Sequence, residues 1–159
     1  MYIFQDFKAN KGNTKGKIVM LFLRLAQRSD ENIFYRFILL PYRCFYKIFF
    51  EWILGFEVPF KVKIGKGLKI YHLQAIVINA NTIIGENCSI RQSLTIGNKG
   101  NGGGSPVIGD NVNIGAQVCI IGDIKIGHNV NIGAGSVVVK DIPSNCTVVG
   151  NPAKIVKQW

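Results

Sequence analysis

Residues 107–142 read VIGDNVNIGAQVCIIGDIKIGHNVNIGAGSVVVKDI, and an aliphatic residue recurs at every sixth position: Ile108, Ile114, Ile120, Ile126, Ile132 and Val138. Neither the period near 3.6 of a helix nor the alternation of a half-buried strand holds this spacing for so long. The same step runs backwards through Ile96, Ile90 and Ile84, and another block begins at Ile64. Glycine follows the block start at 65, 85, 97, 109, 115, 127 and 133. Four places after a start the residue is small or apolar: Leu68, Cys88, Leu94, Val112, Val118, Ile124, Val130, Ser136 and Ile142. This is the hexapeptide period of a parallel β-helix.

The pattern has a physical reading. Three blocks make one triangular coil of about 18 residues. The aliphatic at each start points inward and stacks on its copies in adjacent coils. The residue four places on lies near a corner and must be slim. Corners require positive φ, which Gly and Asn tolerate best, and Gly67, Asn87, Asn111, Asn129 and Gly135 share one block position. Residues 61–150 then form roughly five coils. Such a stack needs its ends covered. The segment before it and "IPSNCTVVGNPAKIVKQW" (Ile142–Trp159) are the candidates.

Two departures from the period stand out. From Ile70 to Ile78 the step is eight residues, and His72 lies inside it. Between Ile96 and Ile108 a block start is missing, and "NKGNGGGSP" (Asn98–Pro106) has no aliphatic to fill a core. It reads as a loop leaving the coil.

The first 58 residues read differently, as a helical segment preceding a β-helix over 59–159. "GKIVMLFLRLAQR" (Gly16–Arg28) predicts one helix, and Ser29 and Asp30 a break with an N-cap for the next. Asn32–Leu54 predicts a second helical stretch that Pro41 kinks or divides. Arg36, Arg43 and Lys47 share one helical face, and Phe34, Phe37, Phe45, Ile48, Phe49 and Trp52 occupy the others. No uncharged run approaches the roughly 20 residues that span a bilayer. Two readings stay open: packing on the β-helix or a partner subunit, and an amphipathic element on an anionic membrane surface.

The formal charge is +10, with nine Lys or Arg against five Asp or Glu in residues 1–60 and ten against four thereafter. That suits a phosphate-bearing small molecule or a membrane. Nothing resembles a nucleic-acid motif, so no nucleic acid is expected. Cys44, Cys88, Cys119 and Cys146 form no CxxC, and "MYIFQDFKAN" is no secretory signal. The expectation is four reduced thiols in a cytoplasmic protein, with Cys88 packing inward.

The blocks "KIGKGLKIYHLQAIVI", "ENCSIRQSLTIGNKG", "IGAQVCIIGDIKIG" and "IGAGSVVVKDIP" followed by "GNPAKIV" resemble, in order, the hexapeptide acyltransferases of the serine acetyltransferase-like branch. The resemblance covers Gly55–Val156 and is strongest to the colanic acid biosynthesis acetyltransferases. It implies a left-handed β-helix, a homotrimer, and transfer of acetyl from acetyl-CoA to a hydroxyl.

By the same resemblance His72 falls on the catalytic histidine, a general base for the acceptor hydroxyl, a task suited to neutral imidazole. Glu57, fifteen residues earlier, falls where the family places the carboxylate that orients that histidine. Asn98 and Lys99, Ala116 and Ala134 in the two "IGA" turns, and Lys154 match positions lining the acetyl-CoA site. No metal is implied. Serine-specific relatives carry Asp directly before the histidine and an Arg-His pair in the glycine-rich loop. Here those places hold Tyr71, Gly104 and Ser105, so the acceptor site differs, with Tyr71 and Ser105 facing it. A sugar hydroxyl of an envelope polysaccharide or exopolysaccharide, free or lipid-linked, fits better than free serine.

Plainer readings stand beside these. His72 can be a tolerated corner histidine, Ser105 turn chemistry before Pro106, Asn98 and Lys99 solvated loop residues, and each "IGA" a packing device. His128 reads as an exposed corner without a role. A γ-type carbonic anhydrase needs three zinc histidines, and the chain has two. Serine O-acetylation and a non-catalytic β-helix scaffold remain as alternatives.

Overall fold

The structure is a computed structural model and describes residues 2–100 and 102–159, so Asn101 of the glycine-rich loop lies outside it. Turns over residues 3–12 are followed by α1 (Thr14–Ser29), α2 (Ile33–Ile38), α3 (Leu40–Tyr46) and a π-helical turn (Lys47–Ile53). Asn13 caps α1, its side chain accepting from the Gly16 N–H at 2.9 Å. The expected cap at Ser29 or Asp30 is instead Asn32, whose side chain accepts from the Tyr35 N–H. The second helical stretch divides at Leu39. Pro41 sits in the first turn of α3, where its missing N–H costs no helical hydrogen bond.

The coil then begins at Phe56, ahead of the expected boundary at residue 59. Its first turn holds β1 (Phe56–Glu57), β2 (Lys63–Ile64) and β3 (Lys69–Ile70). The second holds β4 (Ile76–Ile78), β5 (Ile83–Ile84) and β6 (Ser89–Ile90). The third holds β7 (Thr95–Gly97), β8 (Val107–Ile108) and β9 (Asn113–Ile114). The fourth holds β10 (Cys119–Ile121), β11 (Lys125–Ile126) and β12 (Val130–Ile132). The fifth holds β13 (Val137–Val138), an isolated bridge at Ile142, and β14 (Cys146–Val149). Corresponding strands stack in parallel into three faces: β1-β4-β7-β10-β13, β2-β5-β8-β11, and β3-β6-β9-β12-β14. Across the third face β15 (Lys154–Gln158) turns back antiparallel to β14. The result is a parallel β-helix of five coils.

The sixfold pattern becomes the core. Ile84, Ile90, Ile96, Ile108, Ile114, Ile120, Ile126, Ile132 and Val138 are buried, as are the nine slim positions from Leu68 to Ile142. Cys88 is among them, and burial pushes its thiol up to about 11. The five anticipated corners all have positive φ, between 54° and 79°. Corner side chains also form ladders. Asn111 Nδ2 donates to Asn129 Oδ1 and Asn129 Nδ2 to Asn145 Oδ1, at 3.1 and 2.8 Å. Asp110, His128 and Ser144 each accept the N–H of the corner residue one coil below. His128 is thereby a rung of a ladder, with Nδ1 accepting at 3.0 Å.

The lower edge of the first coil has no coil beneath it, and the N-terminal segment satisfies it. Arg24, 1% exposed, donates to the carbonyls of Ile64 (2.8 Å) and Gly65 (2.6 Å) and is held by the Asp6 carboxylate at 2.8 Å. Asp6 also accepts from the Leu68 N–H (2.9 Å), and Gln27 donates to Val62 O (2.8 Å). Asn10 brackets Leu68 O and Ile70 N, and Asn13 donates to Ile70 O. Val19, Met20, Leu23 and Ala26 pack over this network, and Tyr46 and Phe50 join the same core. Removing one partner of a buried pair leaves an uncompensated charge. Arg24→Ala therefore lowers stability by about 3–5 kcal/mol, measured as a shift in the urea midpoint with fluorescence and circular dichroism coinciding. A change below 1 kcal/mol, on the order of a surface substitution, contradicts this role.

Candidate active site

Successive coils measure the two departures from the period. Phe56 aligns with Ile76, twenty residues on, and Val77 with Thr95, eighteen on. Thr95 aligns with Cys119, twenty-four on, and Cys119 with Val137, eighteen on. The extra two residues are at His72. Ile70 pairs with Ile90, and Gln74 O accepts the Ser93 N–H at 2.9 Å. Tyr71, His72 and Leu73 therefore stand against Arg91 alone. The corner between the third and first faces bulges outward there and exposes His72. The bulge is anchored: Ile70, two residues before His72, has its N–H on Asn10 and its C=O on Asn13, and Leu73 packs on the core.

Glu57 lies on the outer side of β1, in register with Val77, and Gly55 O accepts the Ile76 N–H at 3.0 Å. The carboxylate is thus at the foot of the first face, just after the corner that carries His72. No hydrogen bond or ion pair joins Glu57 to His72 among the described residues. Glu57 does lie near Glu51. Burial raises the Glu51 carboxyl, the Lys47 ammonium opposes this, and the Glu57 charge adds to the rise.

Tyr71 precedes His72, and its ring contacts two cations. Lys69 Nζ and the Arg91 guanidinium carbon each lie 4.4 Å from the ring centroid. The Lys69 hydrogen bond holds the Tyr71 phenol below its ordinary value, and the Lys69 and Arg91 charges add to this. Neither cation was singled out by sequence. The signal was present: Arg91 follows Ile90 where most blocks have Gly.

Above this corner the side chains shrink to Gly115-Ala116 and Gly133-Ala134, with Ala134 exposed. Ala116 O accepts the Gly135 N–H at 2.9 Å. This leaves a slim strip of backbone on the third and fourth coils of this corner, above Arg91 and Gln92. A Cβ at Gly115 would come 2.5 Å from the Ala134 nitrogen, so the glycine is also required for coil stacking.

The remaining candidates lie elsewhere. Asn98, Lys99 and Ser105 belong to the glycine-rich loop at the corner between the first and second faces. Ser105 is buried and donates to Asn79 Oδ1 at 3.0 Å, and Asn98 Oδ1 accepts the Gly100 N–H at 3.2 Å. From Gln74 to Asn79 the first face spans roughly 16 Å at about 3.3 Å per residue, so within one chain Ser105 does not meet His72. Lys154 is exposed at the start of β15. The two histidines occupy different corners. A hollow of about 680 Å³ beside Lys125, His128 and Asp141 is also on another face. At the His72 corner Tyr71 and His72 are both exposed.

A repeat coil with a histidine bulge and a glycine-rich loop defines a class. A family profile described as bacterial transferase hexapeptide (six repeats) matches residues 105–140. The chain is 35% identical over 158 residues to WcaB of Escherichia coli K12, assigned as a colanic acid biosynthesis acetyltransferase, covering 96% of this chain and 98% of that one. It is 48% identical over 96 residues to the chloroplastic serine acetyltransferase 1 of Arabidopsis thaliana, covering 59% of this chain and 31% of that one. The serine complex of Neisseria gonorrhoeae serine acetyltransferase superposes with a TM-score of 0.82 at 32% identity, over 98% of this chain and 67% of that one. The chain belongs to the hexapeptide-repeat acetyltransferases, in their serine acetyltransferase-like branch, and is an acetyl-CoA-dependent acyltransferase.

The strip above His72 is testable by overpacking. Gly115→Ala is expected to lower stability by about 1–3 kcal/mol and to weaken acetyl-CoA binding, read by thermal unfolding and by titration calorimetry. Gly135→Ala, whose Cβ meets no protein atom, shows in the unfolding measurement the cost of backbone strain without overpacking. Equal acetyl-CoA affinity in Gly115→Ala and the parent places the donor elsewhere.

Proposed function

We propose that this chain transfers acetyl from acetyl-CoA to a hydroxyl of a surface-polysaccharide sugar, with His72 as general base. The observation that carries the reading is the two-residue bulge, which is anchored through Ile70 and presents His72 to solvent. Similarity to WcaB along nearly the whole chain, helices included, supports a polysaccharide acceptor. The greater identity to the chloroplastic serine acetyltransferase extends over 59% of this chain and 31% of that one. Serine is disfavoured at the glycine-rich loop: a Cβ at Gly104 would lie 2.3 Å from Asp123 Cγ, so an arginine there requires Asp123 to move.

In this mechanism the neutral imidazole of His72 takes the acceptor hydroxyl proton as the oxygen attacks the thioester carbonyl. The tetrahedral adduct collapses, the C–S bond breaks, and the imidazolium returns its proton to the departing thiolate. Glu57 positions the ring and offsets the imidazolium charge once the ligands close the corner. Asn98, Lys99, Ala116, Ala134 and Lys154 bind acetyl-CoA across a trimer interface. There the glycine-rich loop of one copy, with Ser105, faces the bulge of the next. His72→Ala is expected to reduce CoA release with the sugar acceptor by about 10²–10⁴-fold while the folded signal is kept, and Glu57→Gln to reduce it less. A folded His72→Ala variant with near-parental transfer removes His72 as the base.

The helical segment adds a second contact. Phe34, Phe37, Phe45, Ile48 and Trp52 are exposed at steps of three, eight, three and four, and Trp52 is 80% exposed. The arginines that sequence put beside this stripe are partly engaged at home: Arg36 and Arg43 bracket Asp30 at 3.0 and 3.2 Å. Among the described residues no helix is long and apolar enough to cross a membrane. The stripe seats on the inner surface of the cytoplasmic membrane, where a lipid-linked glycan is available. Point changes test this better than truncation, because Asp6, Asn10, Arg24 and Gln27 cap the coil. The parent is expected to float with anionic liposomes and Phe37→Ser/Trp52→Ser to remain in the dense fraction. A parent that does not float sinks the membrane contact.

A further inference from the structure

Beside His72 the coil carries positive charge that the fold does not neutralise. Lys69 and Arg91 stand one coil apart at this corner, each against the ring of Tyr71. Arg91 is half-buried and fixed from one side: its Nη1 donates to Asn113 Oδ1 at 2.8 Å and to Ile114 O at 3.1 Å. Both acceptors are uncharged, and Nε and Nη2 of the fork have no acceptor among the described residues. Four acids are paired elsewhere. Asp6 holds Arg24, Asp30 holds Arg36 and Arg43, Glu86 pairs with Lys66, and Asp110 contacts His128. No carboxylate pairs with Lys69 or Arg91 among the described residues.

The arrangement has the parts of an anion site. The guanidinium fork is pre-oriented by its neutral anchors, an ammonium lies 4.4 Å from the centroid of the Tyr71 ring, and the phenol hydroxyl lies beside that ammonium. Such a fork matches the two oxygens of a carboxylate or a phosphate. All three residues adjoin the group proposed to take the acceptor proton.

We propose that Lys69, Tyr71 and Arg91 form an anion subsite for the acceptor. The acetylated hydroxyl then belongs to an acidic sugar that bears a carboxylate or phosphate nearby. This rests on the carbohydrate reading above and narrows it. It also gives Arg91 a task that a glycine at the equivalent place in other blocks cannot perform.

The test is an NMR titration of the ¹⁵N-labelled full chain with methyl β-D-glucuronide, glucose 1-phosphate, methyl β-D-glucoside and L-serine. Saturable shifts at the amides of Tyr71, His72 and Arg91 are expected with at least one of the two acidic sugars, and none with the neutral glucoside. Response to the glucuronide alone assigns a uronic acid, response to the phosphate alone assigns a phosphorylated sugar, and response to both assigns the shared charge. Lys69→Gln and Arg91→Gln are each expected to weaken the interaction at least tenfold, and Arg91→Lys to weaken it less than Arg91→Gln. Absence of saturable shifts with both acidic sugars overturns the subsite, as does an equal response to the glucoside. Response to L-serine alone, or unchanged affinity in both Gln variants, overturns it too. Calorimetry with acetyl-CoA on the same samples separates the two levels. A chain that binds acetyl-CoA but not the acidic sugars loses only the subsite, whereas a chain that does not bind acetyl-CoA loses the transferase reading itself.

Discussion

An unpaired strand edge is the constraint on which the rest of this molecule depends. A parallel coil hydrogen-bonds to the coil above and the coil below, so its first turn leaves a row of polar backbone groups without partners. Here side chains take the place of the missing coil. Arg24 alone covers two carbonyls while Asp6 neutralises it, and Asn10 and Asn13 close both sides of Ile70. The helical segment is therefore part of the coil's foundation. Because Ile70 is held from both sides, the bulge that follows starts from a fixed point, and the cap and the candidate base are mechanically joined.

What sequence reading reached, and what it missed, follows from the range of the forces. The sixfold period is a local rule repeated many times. Every aliphatic start from Ile84 to Val138 is consequently buried, and the Asn corners have the expected left-handed backbone. The eight-residue step at His72 was legible for the same reason, as a break in a rule. The cap was not. Asp6, Asn10 and Arg24 look like ordinary surface residues, and their partners lie between 40 and 62 positions away. Helix boundaries slipped where side-chain caps compete, with Asn32 prevailing over Ser29 and Asp30. For the site, resemblance pointed to His72, and the structure shows that residue exposed on the bulge. The placement of Ser105 on a different corner depends on the triangular cross-section, which no local pattern reports.

Faces and corners divide the work. The faces are uniform because each inward residue must fit its copies above and below. The corners project and tolerate change: one gains two residues at His72, another gains six in the glycine-rich loop, and the third carries the ladder of Asp110, His128 and Ser144. Residues such as Tyr71, Arg91 or Gly104 can then change without disturbing the stacked core, which is common to relatives with differently named activities.

The far end of the coil has a consequence of its own. A stack of parallel strands ending in an open edge is a template for fibre growth, since each free rung can recruit another chain. In this protein β15 occupies the last edge of the third face in the opposite direction, with a register shift between Thr147 and Val148, and it carries Lys154 and Lys157. A strand that runs backwards, slips by a residue and bears ammonium groups does not offer the repeating parallel register a second coil needs. The reversal keeps a structure built like one layer of a filament from becoming one.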